Sequence, residues 1–203
     1  MKPHSLLAAV LFSALLSASA LAAVAVGDAA PDFSVSDSNG KAQGLSEYRG
    51  KTVVLEWNNP GCPFVQKHYR SGNIPRQQAA ATKDGVVWLT INSGAAGKQG
   101  HLDAGAAKAF VAKYQAAPSA YLLDADGKVG KLYGARTTPH LFVIDAQGVL
   151  RYMGGIDSIA STDEADLLKA KQYVPQALAE LKSGRPVSVP TSEPYGCSVK
   201  YGS

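Results

Sequence analysis

Cysteine is scarce in this sequence: 203 residues contain two, Cys62 and Cys197. Two thiols exclude a many-bridged scaffold, and in an oxidising compartment they permit a single internal disulfide of unambiguous connectivity. A four-cysteine zinc site is excluded too, and no His/Cys/Asp cluster has ligand spacing, so neither a metal nor a cofactor is expected. Blocks of basic residues are also missing. The formal charge of +4 is spread along the chain, and a nucleic-acid surface would need clustered Lys and Arg. Long apolar runs are absent beyond the N-terminus, so no membrane span is expected in the mature chain.

The N-terminus is the exception. Lys2 gives a short positive start, Leu6 to Leu16 is apolar, and Ala20-Leu21-Ala22 matches a small-x-small cleavage signal. The run is too short to span a bilayer. Residues 1–22 are therefore expected to be a signal peptide cleaved near Ala22, with a periplasmic or secreted product. Loss of Lys2 lowers the formal balance to +3.

Thr52 to Trp57 is β-branched and almost wholly apolar, as in a strand covered on both faces. A break at Asn58-Asn59-Pro60-Gly61 leads into a helix from Cys62 to Tyr69. Ser71-Gly72-Asn73 interrupts it, and Pro75 suits the first turn of a second helix. Val86 to Ile91 completes a βαβ unit. The Gly-rich loop Asn92–Asp103 holds Gly97-Lys98, but Asn92 replaces the required Gly and Gln99 the Ser or Thr of a phosphate loop. Asp103 is a candidate N-cap for a helix whose face is Ala107, Phe110, Val111 and Tyr114. Tyr121 to Leu123 reads as a strand, and His140–Asp145 with Val149–Met153 as an antiparallel hairpin. Val174, Ala177, Leu178 and Leu181 mark a last helix that ends at Gly184 and Pro186. From Val187 the chain reads as extended. The pattern alone gives an α/β sandwich.

Cys62 stands where a buried strand gives way to a helix. Free amides of the first turn and the positive end of the helix dipole favour its thiolate, which is the reactive form. Pro63 fits the first helical position, which needs no amide hydrogen. An inert buried cysteine is the alternative, but the preceding Pro-Gly turn and the place at a strand's C-terminal edge favour the reactive reading. Glu56 interrupts the apolar strand: buried, its pKa would rise and suit a proton carrier, whereas an outward-facing Glu near the strand end accounts for it equally well. His140 follows Pro139 and is a candidate to face the site as thiolate stabiliser or proton shuttle. His68, almost two turns beyond Cys62, is expected elsewhere on the surface, and His101 in a loop. Trp57 and Trp88 read as core.

Ala30-Pro31-Asp32-Phe33, Val53-Val54-Leu55, Cys62-Pro63-Phe64-Val65, Tyr133-Gly134-Ala135, Thr138-Pro139 and Phe142-Val143-Ile144-Asp145 occur in an order that resembles the peroxiredoxin-like branch of the thioredoxin superfamily. This is the alkyl hydroperoxide reductase, thiol-specific antioxidant and redoxin group. The resemblance spans roughly Ala30 to Ile156. The tail Gly196-Cys197-Ser198-Val199-Lys200-Tyr201 also resembles the Gly-Cys-Ser-Ile-Lys-Trp ending of one thioredoxin-like subgroup.

The resemblance implies a thioredoxin-like three-layer α/β sandwich with a mixed central sheet, residues 23–186, an N-terminal extension and an extended tail, residues 187–203. It implies a cis Thr138-Pro139 bond against Cys62, although only about 5–6% of X–Pro bonds are cis. Two departures stand out. Cys62 matches the second cysteine of Cys-x-x-Cys, and Asn59 occupies the first position. Asn59 also replaces the Thr of Thr-x-x-Cys-Pro, while Arg70 and Arg136 are candidates for the arginine that accompanies that motif. The implied activity is peroxide reduction through Cys62, with a peroxide or protein disulfide as substrate and an external thiol as reductant. Thiol–disulfide exchange on exported proteins and a non-catalytic binding module are the alternatives, and the oligomeric state stays open. For Cys197 three arrangements are open: resolving thiol, structural bridge or separate free thiol. A bridge closing roughly 135 residues would stabilise by about 5 kcal/mol in the chain-entropy model. The expectation is a tail that returns near Cys62.

Overall fold

In the computed structural model, which describes residues 24–202, the chain enters through a small antiparallel hairpin, β1 (Ser34–Ser36) and β2 (Ala42–Gly44). The leader assigned to residues 1–22 lies outside the described residues. Strand β3 (Val53–Trp57) follows and is buried at all five positions, as its two-sided apolar pattern requires. Helices α1 (Pro63–Arg70) and α2 (Asn73–Lys83) are separated by Gly72, whose φ of 70° marks the break. Next come β4 (Val87–Asn92), α3 (Ala104–Lys113), β5 (Ala120–Leu123) and α4 (Lys128–Tyr133). The last stretch holds β6 (Thr137–Thr138), β7 (His140–Ile144), β8 (Leu150–Gly154), α5 (Tyr173–Lys182) and β9 (Cys197–Ser198).

The central sheet has the order β5-β4-β3-β7-β8. Strands β3, β4 and β5 run parallel, while β7 is antiparallel to both β3 and β8. The helical crossover and the short hairpin expected from the sequence are both present. Asp103 caps α3 by accepting from the Ala106 amide at 2.8 Å.

Alternation along the strands sorts two cores. Val53, Leu55, Trp57, Leu89, Ile91, Phe142 and Ile144 face α4 and the N-terminal segment. Val54, Trp88, Leu141 and Val143 face α1, α2, α3 and α5, together with Val65, Tyr69, Ile74, Phe110 and Val174. Helix, sheet and helix thus form three layers. Both tryptophans are fully buried, as their place in apolar strands implied.

The sequence pattern missed α4, a six-residue helix enclosed by Gly127 and Gly134, both with left-handed φ. It also missed β1, β2, β6 and β9. From Pro190 the tail runs beside β8: the Met153 amide donates to Pro190 at 3.1 Å and the Ser192 amide to Met153 at 3.2 Å.

Phe142 tests this packing. Its ring lies 5.1 Å from Trp57, 5.6 Å from Tyr133 and 4.5 Å from His140, centroid to centroid. Phe142→Ala should destabilise the fold by about 3–5 kcal/mol, read as a lower denaturation midpoint in urea; a midpoint shift worth under about 1 kcal/mol would contradict this core.

Candidate active site

Cys62 is the N-cap of α1. Its backbone is extended (φ −81°, ψ 123°), its carbonyl accepts the first helical bond from Gln66 at 2.9 Å, and Pro63 occupies the first helical position. The entry turn is shaped by Asn59, whose Oδ1 accepts from the Gly61 amide at 2.9 Å and whose carbonyl accepts from the Cys62 amide at 3.0 Å. Asn59 Nδ2 donates to Gln99 Oε1 at 3.0 Å, so its amide is spent on the loop rather than aimed at the sulfur. This assigns a structural task to the Gly-rich loop. A Cβ on Gly100 (φ +85°) would lie 2.0 Å from Asn59 Oδ1, so only glycine lets the loop close on this turn.

Strand β9 pairs antiparallel with β6, placing Cys197 opposite Thr138 and Ser198 opposite Thr137. The tail therefore crosses directly over the start of α1. The Cys62 thiol is fully buried; it donates to the Thr138 carbonyl at 3.0 Å, and the Cys197 amide donates to its sulfur at 3.4 Å. The Thr138 hydroxyl donates to the Cys197 carbonyl at 3.3 Å, and the Thr138-Pro139 bond is cis. Both cysteines are free thiols.

Charge at the two sulfurs is divided unequally. Burial opposes ionisation of Cys62, but hydrogen bonds from the Cys197 thiol, the Val65 amide and the Cys197 amide outweigh it and hold its pKa below the ordinary value of 9.0. Cys197 is pushed up to about 11 by burial, by donating to Cys62 and by the negative charge there. Of the two thiols, Cys62 therefore ionises first and Cys197 keeps its proton to higher pH.

Glu56 is fully buried on the same sheet face as Val54. It accepts from Tyr69 at 2.7 Å, Trp88 Nε1 at 2.8 Å, Gln78 Nε2 at 3.0 Å, Thr90 at 3.2 Å and Asn58 Nδ2 at 3.3 Å. Burial raises its pKa against these bonds. The outward-facing alternative is excluded.

Two histidine expectations need correction. His140 does not face Cys62. It shares a strand face with Phe142 and Ile144, opposite to Leu141 and Val143, which pack with Cys62. Burial and the nearby Arg136 charge hold it neutral with a pKa of about 3, and its Nδ1 accepts from the Arg136 amide at 3.3 Å. His68 is not on the surface either; it is buried on α1. His101 sits in its loop, its ring bonded to the Gly94 carbonyl. Arg70 meets Glu164 at 3.4 Å and Arg136 meets Glu193 at 3.3 Å, both exposed, so neither guanidinium serves Cys62. Among the described residues no group of His, Cys, Asp and Glu could hold a metal ion.

A mixed five-stranded sheet, a thiol capping the helix after its central strand, and a cis-proline entering the next antiparallel strand define a thioredoxin-like protein. Within that class the chain belongs to the AhpC/TSA family, whose model matches residues 26–153. The match includes Cys62 and stops before the tail that carries Cys197. Peroxiredoxin Q from Triticum aestivum is 30% identical over 141 residues, 64% of this chain and 58% of that protein. The thiol-disulfide oxidoreductase ResA of Geobacillus thermodenitrificans is 31% identical over 134 residues, 64% of this chain and 68% of that one. In overall fold the chain resembles a hypothetical protein from Sinorhizobium meliloti 1021, with TM-score 0.75, 24% identity and coverage of 90% and 97%. A conserved protein from Geobacillus kaustophilus gives TM-score 0.74, 24% identity and coverage of 88% and 93%.

Thiolate ultraviolet absorbance should titrate in two steps, the first below the ordinary thiol value and the second at about 11. Cys197→Ala should move the first step up, because it removes a donor to Cys62; an unmoved step would refute the pairing. Glu56 has the opposite sign to a salt-bridged carboxylate. Its contribution to stability is full below the unfolded carboxyl value and is lost as pH rises through its raised folded value. Glu56→Gln should therefore flatten the fall of stability across that window in denaturant unfolding, and parallel profiles would contradict the burial.

Proposed function

We propose that the chain is an exported thiol-dependent oxidoreductase that reduces peroxides through Cys62, with Cys197 as resolving thiol and an external thiol as final reductant. The supporting observation is the contact of a low-pKa Cys62 with a high-pKa Cys197 across the Thr138 backbone. Cys62 lies beneath the returning tail, a setting that admits a small oxidant more readily than a folded protein's disulfide. Membership of the AhpC/TSA family and likeness to peroxiredoxin Q support the same reading.

The Cys62 thiolate attacks one peroxide oxygen and the O–O bond breaks. The leaving oxygen takes a proton and departs as alcohol or water, leaving a sulfenic acid. Burial is the largest cause of the raised Cys197 pKa, and oxidation of Cys62 removes the further contribution of the negative charge there, which favours the resolving thiolate after the first step. Its sulfur attacks Cys62, water leaves, and a Cys62–Cys197 disulfide forms. Two external thiols reduce that bond and return the enzyme. Glu56, with its raised pKa, is proposed as a proton carrier for this face of the sheet.

Thiol–disulfide exchange on exported proteins is the second reading. It is favoured by the engagement of Arg70 and Arg136 away from Cys62 and by the likeness to ResA. The leader of residues 1–22 supports export, and no helix among the described residues is long and apolar enough to cross a membrane.

Peroxide consumption with a thiol reductant should fall to the uncatalysed rate in Cys62→Ser, while Cys197→Ser should stall as a Cys62 sulfenic acid seen by intact mass. Unchanged turnover in Cys62→Ser sinks the proposal. Trapped mixed disulfides with exported proteins, without peroxide turnover, would select the second reading. N-terminal sequencing of the exported product should begin just after Ala22.

A further inference from the structure

Two residues before Cys197, the tail seats a half-buried tyrosine against a charged cluster that the proposed chemistry does not use. Tyr195 docks on Phe64, Lys67 and His68, which share one face of α1 at i, i+3 and i+4. The Phe64 and Tyr195 rings meet edge-on with centroids 5.6 Å apart, and Lys67 Nζ sits 5.6 Å over the tyrosine ring. Asn73 Nδ2 donates to His68 Nδ1 at 2.8 Å, which leaves Nε2–H to donate to the Tyr195 oxygen at 3.1 Å. The Tyr195 hydroxyl in turn donates to Asp157 Oδ1 at 2.5 Å, where the Ile159 amide also donates at 3.0 Å.

This relay lies over an under-satisfied ion pair. Lys67 Nζ and Asp157 Oδ2 are 3.8 Å apart with fully buried side chains, and neither atom has a hydrogen-bond partner. Buried charges are costly when their remaining valences are empty. The tyrosine supplies the Asp157 bond and the ring beneath the lysine, so withdrawing it would leave both charges poorer. The next residue, Gly196, has a φ of +130°, and a Cβ there would lie 2.0 Å from the Thr138 carbonyl oxygen. Tyr195, Gly196 and Cys197 are thus an anchor, a side-chain-free approach and a thiol in consecutive positions.

We propose that Tyr195 is a positioning residue: its hydroxyl, held between His68 and Asp157, sets the approach of Cys197 to Cys62 and so the rate of intramolecular resolution. This rests on the reading of Cys62 and Cys197 as a reacting pair, but not on the oxidant. The hydroxyl bonds to neither thiol, so the first attack by Cys62 is independent of it.

The test uses one equivalent of methyl methanethiosulfonate on the reduced full chain, followed by intact mass. Cys62 thiolate displaces methanesulfinate and becomes a methyl disulfide; Cys197 thiolate then attacks the Cys62 sulfur, methanethiolate leaves, and the internal bridge forms. Tyr195→Phe keeps the ring and removes the hydroxyl. It should slow bridge formation at least tenfold while methylthio-adduct formation stays within twofold of the wild type, so that the adduct accumulates. Bridge formation at the wild-type rate overturns the role of Tyr195 and leaves the dithiol pair intact. A wild-type chain that never forms the bridge overturns the pair itself, and this inference with it. Equal slowing of both steps in Tyr195→Phe would mark a general structural defect and also overturns the inference.

Discussion

Two residue pairs of antiparallel backbone, Thr137 with Ser198 and Thr138 with Cys197, hold the tail against the segment that precedes Pro139. Little apolar area is at stake in so short a ladder. Its importance is positional, because it completes the environment of Cys62. The sulfur has the Thr138 carbonyl on one side and the Cys197 amide and thiol on the other. Helix α1 contributes the Val65 amide from behind. Without the tail, one carbonyl and one helix amide would remain, and burial would push the thiol toward its neutral form. The lowered pKa of Cys62 therefore depends on residues more than a hundred positions away in sequence.

The sheet supports this arrangement from below. Glu56 takes hydrogen bonds from β4, α1 and α2 through Thr90, Trp88, Tyr69 and Gln78, so one carboxyl ties together the elements that frame α1. Such a network is rigid when complete and costly when broken. A charge held there without a cation is energetically unfavourable, which is why its proton affinity rises. Structural cross-linking and the raised pKa thus have the same physical origin in this residue.

The strands around Val54, Leu89 and Val143 were legible because β-branched apolar runs covered on both faces admit few other readings. Cys62 was legible as a strand-to-helix junction, through the Pro-Gly turn before it and Pro63 after it. The same two-sided burial hid the facing of His140. Where both faces of a strand are apolar, no alternation tells which side a residue takes, and its proximity to Pro139 pointed the wrong way. His68 was hidden because α1 buries Lys67 and His68 against the tail, so polarity gave a false signal of exposure. Helix α4 was too short to show a period between its two glycines. Strand β9 has no hydrophobic pattern, and only the tail's resemblance to a known ending pointed to its return.

The placement of the second thiol has a thermodynamic consequence. A partner three residues before Cys62, where Asn59 stands, would be held by the entry turn itself, and pairing would be insensitive to the rest of the chain. Asn59 has no thiol, and its side chain is bonded to the Gly61 amide and to Gln99. Moving the partner to the tail makes sulfur pairing conditional on docking of residues 195–201, which Tyr195 and Tyr201 secure at the two ends: Tyr201 donates to the Ala135 carbonyl at 2.8 Å. Linkage is reciprocal, so whatever docking adds to pairing, pairing adds equally to docking. The tail is docked with both thiols free, so a bond between the sulfurs would add to a closure that already exists.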